Sequence, residues 1–280
     1  MSNLFQANLN GLEVTQSSRN TSFHMARHHM HNSYEIYYLI SGQIQYFIED
    51  KTYDIHAGSI VFINRNIIHR TASYGETPHV RFLFDIPPAY FEEIRSFFGD
   101  SLNDLLQRNA LVIRLKETAQ QEIHNLCFSI RKELEEKEKL YPQRVHLSVL
   151  NLFSYILRAE SSPTEENQAK TSSELKIQSI IEYLSNHAHK PISLNELSTK
   201  FFIEKTYLCH VFKASTGMTV LKYIHLRRVR FAGNLLLNTD RSISDIAAVS
   251  GYGSIAHFER VFHQHMGQAP RDYRKKEKKD

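Results

Sequence analysis

The last hundred residues are built twice over. Leu194, Leu197 and Ser198 recur as Ile243, Ile246 and Ala247 at an offset of 49, and Leu208, Phe212 and Gly217 recur as Phe258, Phe262 and Gly267 at 50. Each copy opens on a capping signature, Ser193-x-x-Glu196 and Ser242-x-x-Asp245, where a hydroxyl and a carboxylate can satisfy the free amides of a helix start. A short helix, a turn and a second helix follow, over about 193–214 and 242–265. In the second copy Ser250-Gly251-Tyr252-Gly253 supplies glycines able to take positive φ, and Ser254 can cap the next helix. This is helix-turn-helix spacing.

Helical periodicity sorts the second helices into inner and outer faces. Leu208, Val211 and Phe212 form one buried stripe, and Phe258, Val261 and Phe262 the other. Thr206, Cys209 and His210 in the first copy, and Ile255, Ala256, His257 and Arg260 in the second, are left as candidate base contacts. Arg260 suits a bidentate pair with guanine, Thr206 and His210 single hydrogen bonds, and Ile255 or Ala256 a thymine methyl. Lys205, Lys213, Lys222, Arg227, Arg228 and Arg230 read as phosphate contacts that hold register.

Charge placement agrees with a polyanionic partner. Residues 171–280 carry 17 Lys and Arg against 10 Asp and Glu; subtraction from the chain totals of 34 and 30 leaves 17 against 20 for residues 1–170. A basic C-terminal portion on an acidic N-terminal one favours double-stranded DNA as partner of the former.

These landmarks resemble the AraC/XylS transcription regulators. The match runs through Ile192-Ser193-Leu194-x-x-Leu197, Tyr207-Leu208-x-x-Val211-Phe212-Lys213, Thr216-Gly217-Met218, Leu226-Arg227-Arg228-x-Arg230-x-Ala232, Ile243-x-x-Ile246-Ala247, Gly251-Tyr252, His257-Phe258-x-Arg260-x-Phe262 and Gly267-x-x-Pro270-x-x-Tyr273-Arg274. The resemblance implies two helix-turn-helix units joined by a long helix, about Thr219 to Leu237, with recognition helices in successive major grooves about 34 Å apart. It also implies activation through RNA polymerase. The sequence departs from the family pattern at Lys200-Phe201-Phe202-Ile203, a turn without the usual glycine, at Ser198, and at His263-Gln264.

The first third reads as short strands at 34–40, 44–48, 53–55, 59–63 and 80–84, separated by turn residues, which argues a β-sandwich or small barrel. From Lys116 the periodicity turns helical, with one amphipathic stripe through Ile123, Cys127, Ile130 and Leu134 and another from Val145 to Leu157. More apolar stripe than one barrel can cover predicts homodimerisation through these helices. Residues 160–174 contain no large apolar side chain and read as a linker. No run approaches a spanning helix, the start lacks a signal-peptide pattern, and two distant cysteines exclude a disulfide framework, which together favour the cytoplasm.

His29-x-His31-x-x-x-Glu35 with Gly42, and Gly58 with His69, resemble the two cupin motifs, with Asn64 and Asn66 where proline and glycine usually stand. The resemblance implies that His29, His31, Glu35 and His69 converge inside a barrel. Three readings stand for them: polar groups lining an effector site, ligands of a divalent metal, or remnants of the fold. The expected class is therefore α+β in two domains. A cupin-like β-barrel with two appended helices spans 1–160, a linker 161–174, and an all-α double helix-turn-helix domain 175–280. The expected function is a sequence-specific regulator, not an enzyme, answering to a small-molecule effector such as a carbohydrate, without an obligatory cofactor. The competing reading is a metal-dependent cupin enzyme or metal sensor carrying a DNA-binding module.

Overall fold

The computed structural model describes residues 2–19, 31–49, 51–73, 78–159 and 172–277. The N-terminal part contains β1 (Ser2–Leu9), β2 (Leu12–Arg19), β3 (Tyr34–Ser41), β4 (Gln43–Ile48), β5 (Lys51–His56), β6 (Ser59–Ile63), β7 (His69–Ser73) and β8 (His79–Ile86). After these come α1 (Pro88–Phe98), α2 (Asn103–Gln107), β9 (Ala110–Arg114), α3 (Glu117–Glu136) and α4 (Tyr141–Ala159). All strand pairs are antiparallel, in a six-stranded sheet of order β1-β2-β8-β3-β6-β9 and a three-stranded sheet of order β5-β4-β7. Among the described residues the strands thus form two facing sheets, not the closed barrel anticipated from the sequence.

Strand alternation assigns each side chain to a layer. Ile36 and Tyr38 of β3 join Phe62, Phe82 and Phe84 in the core under α1, α3 and α4, where Tyr34 stacks on Phe91 with ring centroids 3.7 Å apart. Glu35, Tyr37 and Leu39 point the other way; Tyr37 and Leu39 meet Ile44, Tyr46 and Ile48 of the smaller sheet. The stripes on α3 and α4 are buried within the chain: Ile123, Cys127 and Ile130, like Val145, Val149 and Phe153, are sealed against the six-stranded sheet. Most of the apolar surface on these two stripes is therefore taken by intramolecular packing, and Phe128 and Leu147 are left exposed on the outer faces of α3 and α4. Residues 161–171 of the expected linker lie outside the described residues, and 172–174 open the next helix.

The C-terminal part is helical: α5 (Ser172–His187), α6 (Leu194–Phe201), α7 (Lys205–Thr216), α8 (Val220–Asn238), α9 (Ile243–Val249), α10 (Ile255–Met266) and α11 (Pro270–Glu277). Ser193 and Glu196 close a full capping box, while Ser242 and Ser254 accept from the third amide after each, as their spacing predicts. Thr219 caps α8, whose Tyr223, Leu226, Val229, Ala232 and Leu236 form the spine of one shared core.

The turns of the two copies differ at one residue. Gly251 takes φ +85°, and its counterpart 49 positions earlier is Phe202, forced to φ +48° with its ring 89% exposed. A left-handed phenylalanine crowds its own Cβ while its ring packs on nothing. Phe202→Gly should therefore stabilise the protein by about 0.5–1 kcal/mol after the glycine's entropic cost. Chemical denaturation measures this, and a lower midpoint would refute it.

The two parts are docked. Phe47 and Ile68 from the strands enter the core of the helical part. Tyr223 Oη donates to the Glu49 carbonyl at 3.4 Å, and Asn66 Nδ2 donates to Tyr273 Oη at 3.0 Å. Asn66 holds φ +57°, so it fills both the backbone role of the expected glycine and a side-chain role glycine cannot.

Candidate nucleic-acid interface and effector site

The outer faces of α7 and α10 are presented as the periodicity predicts. Lys205, Thr206, Cys209, His210 and Lys213 on α7 are exposed, as are Ile255, Ala256 and Arg260 on α10. The sequence reading missed Glu204, the cap of α7, which accepts from the Thr206 and Tyr207 amides at 2.8 and 2.7 Å. Those two backbone hydrogen bonds hold its carboxyl below the usual carboxylate range. His257 is half-buried, its ring 5.5 Å from both His225 and Tyr252, which ties it into an aromatic cluster rather than leaving it free toward a groove. Lys222 is half-buried at the start of α8.

Three expected phosphate contacts need correction. Arg228 donates through Nε to the Ala188 carbonyl at 2.7 Å and through Nη2 to Lys190 at 3.0 Å, binding α8 to the end of α5. Arg227 and Arg230 both pair with Glu49 of the strand domain, Arg230 Nη1 at 2.5 Å, and Arg230 also reaches Asn109 Oδ1 at 2.8 Å. Burial, then the neighbouring Arg230 charge, pull the Arg227 pKa down to about 10. A helix-face reading cannot detect this, because Glu49 is far away in sequence and sits in a turn with no motif of its own.

In the strand domain, Glu35 is the hub of a buried cluster. Tyr46 Oη donates to its Oε1 at 2.5 Å, while His31 Nε2 and His69 Nε2 lie 3.3 and 3.5 Å from its Oε2. His69 Nδ1 is 2.9 Å from the Ile67 carbonyl, which fixes that nitrogen as the donor, and His31 Nδ1 meets Ser33 Oγ at 2.7 Å. Burial works against ionisation of Glu35, but the His69 and His31 partners outweigh it and hold its carboxyl well below the usual range. Burial likewise opposes protonation of His31, yet Glu35 wins and raises its pKa. Burial and the Glu35 charge push the Tyr46 hydroxyl far up, so it remains a donor. One ligand atom from each of His31, Glu35 and His69 lies within 4.8 Å of the others, a donor set that fits a first-row divalent ion as well as a hydroxyl-bearing ligand. His29 lies outside the described residues.

Fold and site together define a class, a two-sheet ligand-binding domain docked on paired helix-turn-helix units. A model of the AraC-like ligand binding domain matches residues 10–142, and a helix-turn-helix domain model matches residues 197–276. The chain is 28% identical over 257 residues to the uncharacterized HTH-type transcriptional regulator YdiP of Escherichia coli K12, covering 89% of this chain and 80% of that one. It is 23% identical over 263 residues to the melibiose operon regulatory protein of the same strain, covering 90% and 84%. Unsaturated fatty acid bound ToxT from Vibrio cholerae aligns over 98% of this chain and 96% of that one, at 15% identity and a TM-score of 0.43. The chain belongs to the AraC family of transcriptional regulators.

Proposed function

We propose that this regulator is a sequence-specific activator acting in the cytoplasm, that it recruits RNA polymerase, and that a small molecule held between its two sheets controls it without being turned over. The observation that carries the reading is continuity: Asn66, Ile68 and Glu49, which touch the helical domain, share a short stretch of the fold with the effector cluster. The Asn66 amide donates to the His31 carbonyl at 2.8 Å and the Ile68 amide to Glu49 Oε1 at 3.1 Å, so a ligand that moves His31 or His69 moves the domain contact. A carbohydrate effector is supported by the relative named for a melibiose operon and by hydroxyl-matching groups on Tyr46, His31 and Glu35. Homodimerisation belongs to the same reading, through the outer faces of α3 and α4, where Leu147 remains exposed.

DNA binding is tested on a sequence selected from a random pool. Arg260→Ala should cost about 1–3 kcal/mol there and relax preference at one base step, while Lys213→Ala should weaken specific and random DNA alike and flatten the salt slope by about one. Equal losses on both DNAs for Arg260→Ala would remove it from base readout.

The donor set of His31, Glu35 and His69 favours a second reading, a resident divalent ion. These residues would hold it, and it would supply a Lewis-acidic anchor for a ligand hydroxyl. Elemental analysis of protein purified without chelator separates the readings. The effector reading expects no stoichiometric metal, and a full equivalent that disappears in Glu35→Ala would replace it.

A further inference from the structure

The three-stranded sheet turns one face to each domain. Side chains alternate along β7, and the pairings Ile48↔His69 and Phe47↔Arg70 carry the alternation across to β4. On one face Ile48 joins the inter-sheet core, and His69 Nε2 lies 3.5 Å from Glu35 Oε2. On the other, Phe47 enters the core of the helical domain and Arg70 reaches the end of α7. There the Arg70 guanidinium covers Gly217, which closes α7 at φ +72°; a Cβ built on Gly217 would fall on Nη1, Cζ and Nε. The repeat shows that this contact is peculiar to the first unit. Gly267 closes α10 at φ +71°, yet no described atom lies within 4 Å of the place its Cβ would take. The backbone asks for glycine at both helix ends, and only the first is covered by a side chain of the strand domain. Arg70 Nε is buried without a hydrogen-bond partner among the described residues, and burial is what lowers its pKa. What the guanidinium faces is the C-terminal end of a helix, whose last carbonyls attract a cation.

We propose that Arg70 is the positioning residue that couples the Glu35 cluster to the DNA-reading helix α7. His69 and Arg70 are consecutive residues of one strand, so a shift of β7 that alters the contact of His69 with Glu35 also moves the guanidinium on Gly217. With Arg70 seated, the helical domain is held on the strand domain, and Arg227 and Arg230 stay on Glu49. With Arg70 lifted, the domains part and those two arginines become available to phosphates. The docked and undocked arrangements are the two states that both ends of the strand bias. This deepens the effector reading given above and rests on it for the source of the shift.

The test is binding of the full chain to random duplex DNA, measured beside its melting temperature. A cation lost from a helix C-terminus shifts the docking equilibrium by about two- to fivefold, and apparent affinity follows the competent fraction, so Arg70→Ala should bind about two- to fivefold more tightly. Gly217→Ala should tighten binding by displacing the guanidinium, and should tighten it no further in an Arg70→Ala chain. Gly267→Ala carries the same backbone strain at the end of α10 and should lower the melting temperature without tightening binding. His69→Ala should change binding in the parent and leave an Arg70→Ala chain unchanged. If His69→Ala does not fold, Tyr46→Phe takes its place, because it keeps the ring and removes only the hydroxyl that donates to Glu35. An Arg70→Ala chain that melts lower but binds no more tightly would make Arg70 a structural contact and overturn the proposal, as would equal tightening by Gly217→Ala and Gly267→Ala. An effect of His69→Ala that is the same with and without Arg70 would overturn Arg70 as the route and leave the effector reading standing. No effect of His69→Ala in either chain would overturn both.

Discussion

Glu49→Gln should cost about 3–5 kcal/mol of stability and at the same time strengthen binding to random DNA. Glu49 is 3% exposed and receives Arg227 and Arg230 of α8 while its Oε1 also accepts the Ile68 amide. A glutamine keeps the shape and the Ile68 hydrogen bond but removes the negative charge that Arg227 and Arg230 share inside the domain contact, and removing one partner of a buried ion network is expensive. The chain can relieve that cost by undocking, which returns both guanidinium groups to water. Undocked, Arg227 and Arg230 are free for phosphates, so the slope of log K against log salt should steepen by about two. The strand domain would thereby restrain DNA binding through competition for two cations. Urea denaturation and salt-dependent binding to random duplex measure the two effects. Unchanged stability would show that the pair contributes nothing to docking, and an unchanged slope would show that the arginines never reach DNA.

What the sequence revealed and what it hid have one physical cause. β3, β4, β6 and β8 were visible because their apolar residues are dense, Ile36, Tyr38, Phe62 and Phe84 among them. The strands β2 (LEVTQSSR) and β7 (HRTAS) escaped because their inter-sheet positions carry Ser17, Arg19, His69 and Thr71, breaking the apolar alternation that marks a half-buried strand. One of the polar residues that concealed β7, His69, belongs to the cluster around Glu35. His31, Glu35 and His69 could be named because motif spacing survives in one sequence; Arg70 could not, since only the docking of the two parts brings it to Gly217. In the helical part the repeat and its caps were legible to the residue, as Ser193, Ser242 and Ser254 show. The destination of Arg227 and Arg230 was not, because helical periodicity orders the residues of one helix and says nothing of a carboxylate on another domain.

Phe258→Ala should lower the melting temperature of the helical domain by at least about 10 °C, a loss of about 3–5 kcal/mol for truncating a fully buried phenylalanine. Its ring lies 5.3 Å from Tyr252 and 5.5 Å from Phe262, and Phe262 passes the contact to Tyr273 at 5.4 Å. The second unit has little else: Ile246, Ala247 and Val261 complete its core, and α10 is too short to persist in water without that packing. Ile255, Ala256 and Arg260 ride on α10, so the variant should lose protection of the half-site α10 reads while retaining the half-site under α7. Footprinting on the selected sequence distinguishes the two, and simultaneous loss of both half-sites would mean that the units fold as one block. The repeat supplies its own control, because Leu208 fills the equivalent place in the first unit and is equally buried. Phe258→Leu should therefore recover most of the loss, to within about 1.5 kcal/mol of the parent, and failure of that rescue would show that the second unit depends on the aromatic contacts and not on filled volume.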